Sequence, residues 1–183
     1  MTSLVSNNTF QKVYHFDSKA TIEAYIRTLN LPTTFLYPGF YMNNLPGQRF
    51  SLFPTTNKWR LSLPFPITTR IPLFAAEYDT GKFVKSILLN RESMLGKRIL
   101  AATAYITPLE MLDDFKASFP EAGKDAEVEE MQMQDWKAML SRFGMPQIGV
   151  EDFADMMGYF GQFGYFGGEE LEESLAVSFL SFP

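Results

Sequence analysis

Between Val13 and Asn44 the chain runs without a gap through a helix signal, a short apolar strand signal and a glycine-bearing loop. Ile22, Tyr25, Ile26 and Leu29 recur at i, i+3, i+4 and i+7, the period of a helix with one buried apolar face. Asp17 or Ser18 is a competent N-cap for it, which sets Lys19 in the first turn near His15, the chain's sole histidine. Asn30 and Pro32 end the helix. Thr33 to Tyr37 is short, apolar and rich in β-branched and aromatic side chains, as expected of a strand covered on both faces in a parallel sheet. Pro38-Gly39-Phe40-Tyr41-Met42-Asn43-Asn44 then leaves the strand's C-terminal end. Helix, strand and loop in this order form one wall of a crevice at the carboxyl edge of an α/β sheet, the usual place for a nucleotide. The opposite wall needs strands that this sequence does not contain.

The totals bound the rest. A chain of 183 residues suits one domain or part of a larger one, and its 46% apolar content, with 18 Phe and 8 Tyr, suffices for an aromatic core. The absence of Cys excludes disulfides and thiolate metal ligands, and one His with no spaced carboxylate cluster predicts no metal site. No stretch reaches the roughly 20 apolar residues of a membrane span, and Met1 to Asn8 lacks the features of a signal peptide, so the expected location is the cytoplasm, with the nucleus as a second compartment. Charge is uneven. Residues 1–100 carry 12 Lys/Arg against 5 Asp/Glu, a net +7, and residues 101–183 carry 4 against 16, a net −12. The basic charges are scattered rather than striped, which predicts a solvated surface around an anionic-ligand site and no direct nucleic-acid contact.

Further along, prolines and glycines mark a loop over much of 38–69, interrupted by the alternating Trp59-Arg60-Leu61-Ser62-Leu63. A strand is expected from Ile71 to Ala76. Next comes a helix capped by Asp79, with an apolar stripe of Phe83, Val84, Ile87 and Leu88 closed by Asn90. Lys97 to Thr103 reads as a strand. Thr107, Pro108 and Glu110 spell a capping box with proline at the first helical position. A weak strand over Val128 to Met133 and helices over Asp135 to Phe143 and Glu151 to Phe160 complete an alternating α/β pattern.

With these segments in order, the chain resembles the NmrA-like family of atypical short-chain dehydrogenase/reductase proteins. The resemblance runs from about Val13 to about Gly168. It rests on His15-Phe16-Asp17-Ser18-Lys19 with Glu23 and Tyr25, and on Pro38 to Asn44. Asp79-Thr80-Gly81-Lys82-Phe83-Val84 and Gly96-Lys97-Arg98-Ile99-Leu100-Ala101-Ala102-Thr103 add two further blocks. It implies an NAD(P)-binding Rossmann fold of which this chain holds only the C-terminal half, without the N-terminal Gly-rich phosphate loop. Residues 1–103 are then the C-terminal part of the Rossmann-type parallel sheet. Residues 104–168 are a small α+β substrate-side cover, and 169–183 a disordered tail.

The resemblance also implies roles. Active short-chain dehydrogenases pair a Tyr with a Lys four residues later, and here that spacing joins His15 to Lys19. Lys19 is therefore expected on the nicotinamide ribose, and Tyr41, Met42, Asn43 and Asn44 along the pocket for NADP or NAD. The chain departs from the family twice: Tyr37 stands where Arg is common, and His15 replaces the proton-relay Tyr, a task imidazole can perform near neutral pH. The function implied first is a dinucleotide or redox sensor regulating a protein partner such as a transcription factor. A NAD(P)H-dependent reductase using His15 is the alternative, and a truncated fragment that binds nothing is the third reading.

Gly158-Tyr-Phe-Gly161-Gln-Phe-Gly164-Tyr-Phe-Gly167 matches the letters of a phosphate loop but not its setting, because a helical segment precedes it and Glu169, Glu170, Glu172 and Glu173 follow. A phosphate loop is delivered by a strand and opens a helix whose amides face the anion. An aromatic cover over the substrate side is the expected role.

Overall fold

The computed structural model describes residues 9–44, 50–53 and 56–171. Its elements begin with α1 (Tyr14–Thr28), β1 (Phe35–Pro38), β2 (Phe40–Tyr41), a 3-10 turn (Met42–Asn44), β3 (Phe50–Phe53) and β4 (Lys58–Leu63). β5 (Ile71–Phe74), α2 (Ala76–Leu89), α3 (Arg91–Met94), β6 (Arg98–Ala101) and β7 (Ala104–Ile106) follow. The remainder is α4 (Pro108–Ser118), α5 (Pro120–Gly123), β8 (Glu127–Glu130), α6 (Met133–Arg142) and α7 (Gln147–Phe163). The result is a mixed α/β fold with parallel strand pairs, as expected for part of a Rossmann-type sheet.

β1 runs parallel to β6, with Phe35 opposite Arg98 and Pro38 opposite Ala101. Because strand side chains alternate faces, Leu36, Ile99 and Ala101 pack with Phe74, Phe83 and Met94 on one side. On the other side Tyr37, Leu100 and Ala102 meet Phe166 and Leu171. Gly39 carries the chain from this pair to β2, which lies parallel to β5; β5 in turn pairs antiparallel with β7. A Cβ at position 39 would sit 2.5 Å from the Pro72 carbonyl oxygen, so only glycine passes between the two sheets there. The third sheet joins β3 to β4 antiparallel and β4 to β8 parallel, bringing the chain's Arg60–Leu63 beside Glu127–Glu130. The large core lies between these strands and α7, and includes Val13, Leu61, Leu63, Phe65, Trp136, Tyr159 and Phe160.

The capping box is fully formed: Glu110 N–H donates to Thr107 Oγ1 at 3.2 Å, and Thr107 N–H donates to Glu110 Oε2 at 2.7 Å. Those hydrogen bonds hold the Glu110 carboxyl below the usual carboxylate range.

Local signals elsewhere gave way to packing. α1 starts at Tyr14 rather than after Asp17 or Ser18, with Val13 at the cap position and no side-chain cap. Val13 is completely buried, and its carbonyl accepts the N–H groups of Phe16 and Asp17, so the anchored residue starts the helix early. Lys19 consequently lies beyond the first turn. The expected buried stripe is also corrected: Ile22 is 57% exposed, Tyr25 64% and Leu29 46%, because no described element packs on that face. β1 is half-buried rather than fully covered: side chains pack on both faces, but β6 is its one strand neighbour among the described residues. Asp79 is not a cap; α2 begins at Ala76, and Asp79 is buried within it, paired with Lys82 at 2.8 Å. Val84 and Leu88 face out, while Phe83 and Ser86 face in. The glycine-aromatic run is helical as far as Phe163, and glycine is needed where α7 touches its neighbours. A Cβ on Gly158 would meet the Phe10 ring at 2.5 Å, and one on Gly161 the Phe65 Cβ at 2.9 Å.

The charge asymmetry also resolves differently. Lys12 pairs with Glu151 at 2.8 Å, Lys58 with Glu127 at 2.6 Å, Arg60 with Glu129 at 3.4 Å and Arg70 with Glu170 at 2.8 Å, while Arg98 pairs with Glu169. Each joins a cation from the basic part to an anion from the acidic part. The expected solvated surface is thus in large measure an internal match of one half to the other, although each exposed pair contributes only about 0–1 kcal/mol. The Pro46, Gly47 and Pro54 portion of the loop, the start of the chain before residue 9 and the tail beyond residue 171 lie outside the described residues.

Two outcomes are expected. Thr107→Ala should lower the unfolding free energy by about 1 kcal/mol, measured by urea denaturation. Replacing Ile22 and Leu29 together by Gln should reduce self-association in sedimentation velocity while shifting stability by no more than about 0.5 kcal/mol per site, since neither side chain is packed.

Candidate functional site

Three segments converge at the carboxyl end of β1: the start of α1, the turn after β1, and the aromatic residues closing α7. The segment before α1 is fixed to α7 twice through Lys12, whose backbone N–H donates to Asp155 Oδ2 at 3.0 Å and whose Nζ pairs with Glu151. His15 adds a third tie, its Nδ1 lying 2.6 Å from Asp152 Oδ2. The next side chain, Phe16, turns inward against Phe160 and Tyr165, at centroid distances of 6.2 and 5.7 Å.

Tyr165 is the hub of the convergence. Its hydroxyl donates to the Pro38 carbonyl at 3.4 Å, and burial, aided by the nearby Tyr41 phenol, pushes its own phenol well above the ordinary range. The aromatic residues that follow α7 thus pack over the end of β1. Gly164, with φ at +76°, ends the helix and lets the chain turn back toward the strand.

The residues singled out by sequence are distributed around this hub. Lys19 is exposed, and among the described residues its Nζ donates only to the His15 carbonyl, at 2.9 Å. Tyr41 is exposed on β2, with its ring 6.0 Å from Phe74. Met42 is half-buried against the main core, and Asn43 Nδ2 donates to Glu77 Oε1 at 2.7 Å. Asn44 closes the 3-10 turn. Among the described residues no hydrogen bond or ion pair joins Lys19 to Tyr41, Met42 or Asn43; Tyr165 links the two segments, packing on Phe16 of α1 and lying near the Tyr41 phenol.

A Lys without a carboxylate partner and the exposed Asn43 amide at a strand's carboxyl end suit the hydroxyls and amide of a ribosyl-nicotinamide. The described residues provide no strand-delivered phosphate loop, so the fit extends to that half of a dinucleotide.

Sequence reasoning missed Asp152, Glu23 and Tyr165. Three acids on one helix, Glu151, Asp152 and Asp155, in a chain with one His were a usable signal for the first. Tyr37, the departure from the family pattern, donates its hydroxyl to the Glu23 carboxylate, and Arg98 lies 5.4 Å from its ring. Burial first, then Glu23, pushes the Tyr37 phenol up to about 12.

A separate open cleft of about 400 Å³ is lined by Arg70, Tyr105, Phe160, Gly164, Glu169 and Glu170 among others; it includes part of the glycine-aromatic run but not His15, Lys19 or Tyr41 to Asn44. Its one guanidinium is already held by Glu170 and stacked 4.4 Å from the centre of the Tyr105 ring.

The fold is a mixed α/β arrangement with parallel strand pairs, consistent with part of a Rossmann-like fold. Comparison with known sequences agrees: the profile of the NmrA-like family matches residues 2–182, and the chain belongs to that family. It is 33% identical over 104 residues to the nitrogen metabolite repression protein nmr of Neurospora crassa, covering 54% of this chain and 21% of that protein. It is 31% identical over 104 residues to nitrogen metabolite repression protein nmrA of Emericella nidulans, covering 53% of this chain and 29% of that one. Among solved structures, NmrA, a negative transcriptional regulator, in complex with NAD superposes with a TM-score of 0.71 at 19% identity, over 90% of this chain and 53% of that chain. The same regulator in complex with NADP gives 0.67 at 21%, over 87% and 52%. The chain therefore spans about half the length of these structures and less than a third of the two relatives.

The elevated Tyr37 phenol has a measurable consequence. An unfolded tyrosine releases its proton near pH 10, earlier than Tyr37 in the folded chain, so the folded state binds more protons between about pH 10 and 12. Tyr37's contribution to stability is complete below pH 10 and is lost as pH rises towards 12. Ultraviolet titration should show a late-ionising tyrosine that disappears in Tyr37→Phe.

Proposed function

We propose that this chain forms the nicotinamide-side half of a dinucleotide-responsive regulator. Lys19 holds the nicotinamide ribose of NADP or NAD, and Tyr41, Met42, Asn43 and Asn44 line the pocket beside it. Occupancy then sets the affinity for a protein partner such as a transcription factor, in the cytoplasm or nucleus. In this reading residues 1–103 present the cofactor wall and 104–168 the cover. No direct nucleic-acid or membrane contact is involved, and no helix among the described residues is long and apolar enough to cross a membrane.

The observation that carries the proposal is the convergence of the α1 start, the β1 exit turn and Tyr165, in a chain whose family and fold neighbours include a transcriptional regulator caught with NAD and with NADP. The His15–Asp152 contact favours a second reading, a NAD(P)H-dependent reductase, because a carboxylate-oriented imidazole suits proton transfer.

Isothermal titration calorimetry tests the first reading. NADP⁺ or NAD⁺ should bind this chain, and Lys19→Ala should weaken the tighter of the two at least tenfold, about 1.4 kcal/mol. Absence of heat with both dinucleotides supports the non-binding fragment instead. Steady NADPH oxidation in the presence of quinones or aldehydes supports the reductase.

A further inference from the structure

His15 and Asp152 lie 137 positions apart in sequence and meet through Nδ1 and Oδ2. The carboxylate is the more enclosed partner, with 16% of its side chain exposed against 33% for the imidazole. Its Oδ1 is buried and has no hydrogen-bond partner among the described residues. The ring is oriented further by Phe16, edge-on at 4.6 Å, and by Phe153, stacked at 6.1 Å.

Other charged groups around the ring are committed elsewhere. Lys12 is tied to Glu151 and, through its backbone, to Asp155. Lys19 donates to the His15 carbonyl rather than the ring. An ionised carboxylate only accepts hydrogen bonds, so Asp152 selects the Nδ1–H form of the neutral ring. Nε2 then carries the lone pair, and no described residue bonds it.

We propose that Asp152 is the positioning residue of His15: it holds the ring through Nδ1–H and presents Nε2 as the atom that exchanges a proton with an oxygen of a bound ligand. This rests on the reading that a ligand's reactive end lies beside His15 and Lys19. A dinucleotide held beside Lys19 would supply hydride chemistry, and in a carbonyl reduction the part left to His15 would be the proton. The oxygen keeps the electron pair of the broken π bond and takes the Nε2 proton of the doubly protonated ring. His15 is left neutral with Nδ1–H still on Asp152, which stays ionised throughout, and solvent returns the Nε2 proton.

Because His15 is the chain's one histidine, selective ¹⁵N-histidine labelling yields a single ring to follow. At a pH where the ring is neutral, Nδ1 should show the shift of a protonated nitrogen and Nε2 that of a bare one. Asp152→Asn should turn this single form into a mixture, and Asp155→Asn should leave it unchanged. A wild-type ring in the Nε2–H form overturns the proposal even if the variants do not fold, and so does an unaltered tautomer in a folded Asp152→Asn chain. Adding NADP⁺ should move the Nε2 resonance and spare Nδ1. An Nε2 signal indifferent to NADP⁺ while calorimetry records binding overturns the assigned role. Absence of binding strikes the dinucleotide reading alone, and the tautomer result then stands or falls by itself.

Discussion

The burial of one face of α7 is the constraint on which the remaining structure depends. Val150, Ala154, Met156, Met157, Tyr159 and Phe160 point from this helix into the core, where each fully buried large side chain contributes about 1.5–3 kcal/mol of transfer free energy. The same helix holds the segment before α1: Phe10 packs edge-on against Tyr159 and Phe163, and Lys12 and His15 reach its acidic side. That attachment decides where α1 starts. The turn after α7 returns Tyr165 to the end of β1, so one helix sets the geometry of both the cofactor-side helix and the cover.

α1 has two unlike sides as a result. Its beginning is bonded and packed, and its Glu23 and Arg27 reach Tyr37, Phe35 and Gly96 at the sheet. Its remaining apolar stripe faces no described element, and β1 offers one edge without a described strand. The chain spans about half of the solved structures it resembles. An open strand edge beside exposed apolar side chains is an arrangement that proteins normally cover, because both invite association.

Electrostatics knits the two parts of the chain together as well. Five cations of residues 1–100, Lys12, Lys58, Arg60, Arg70 and Arg98, find partners among the anions of residues 101–183. A scattered basic half is thus what an acidic half needs opposite it. Lys19 is not one of these pairs; its partner is a carbonyl of its own helix.

The amino-acid sequence by itself determined the alternation of the main helices and strands, the Thr107 cap, the family and a setting at Gly158 to Gly167 that does not suit a phosphate loop. Those features depend on neighbours a few residues away, where periodicity, capping chemistry and flanking charge are visible. Only the tertiary structure decided that α1 begins at Tyr14, that Asp79 is buried inside a helix instead of capping it, that Ile22 and Tyr25 face outward, and that β4 pairs with β8. It also decided the contact of His15 with Asp152. Each of these is a competition between a local preference of about 1 kcal/mol and contacts made across dozens of residues, and no short window of sequence contains both contestants.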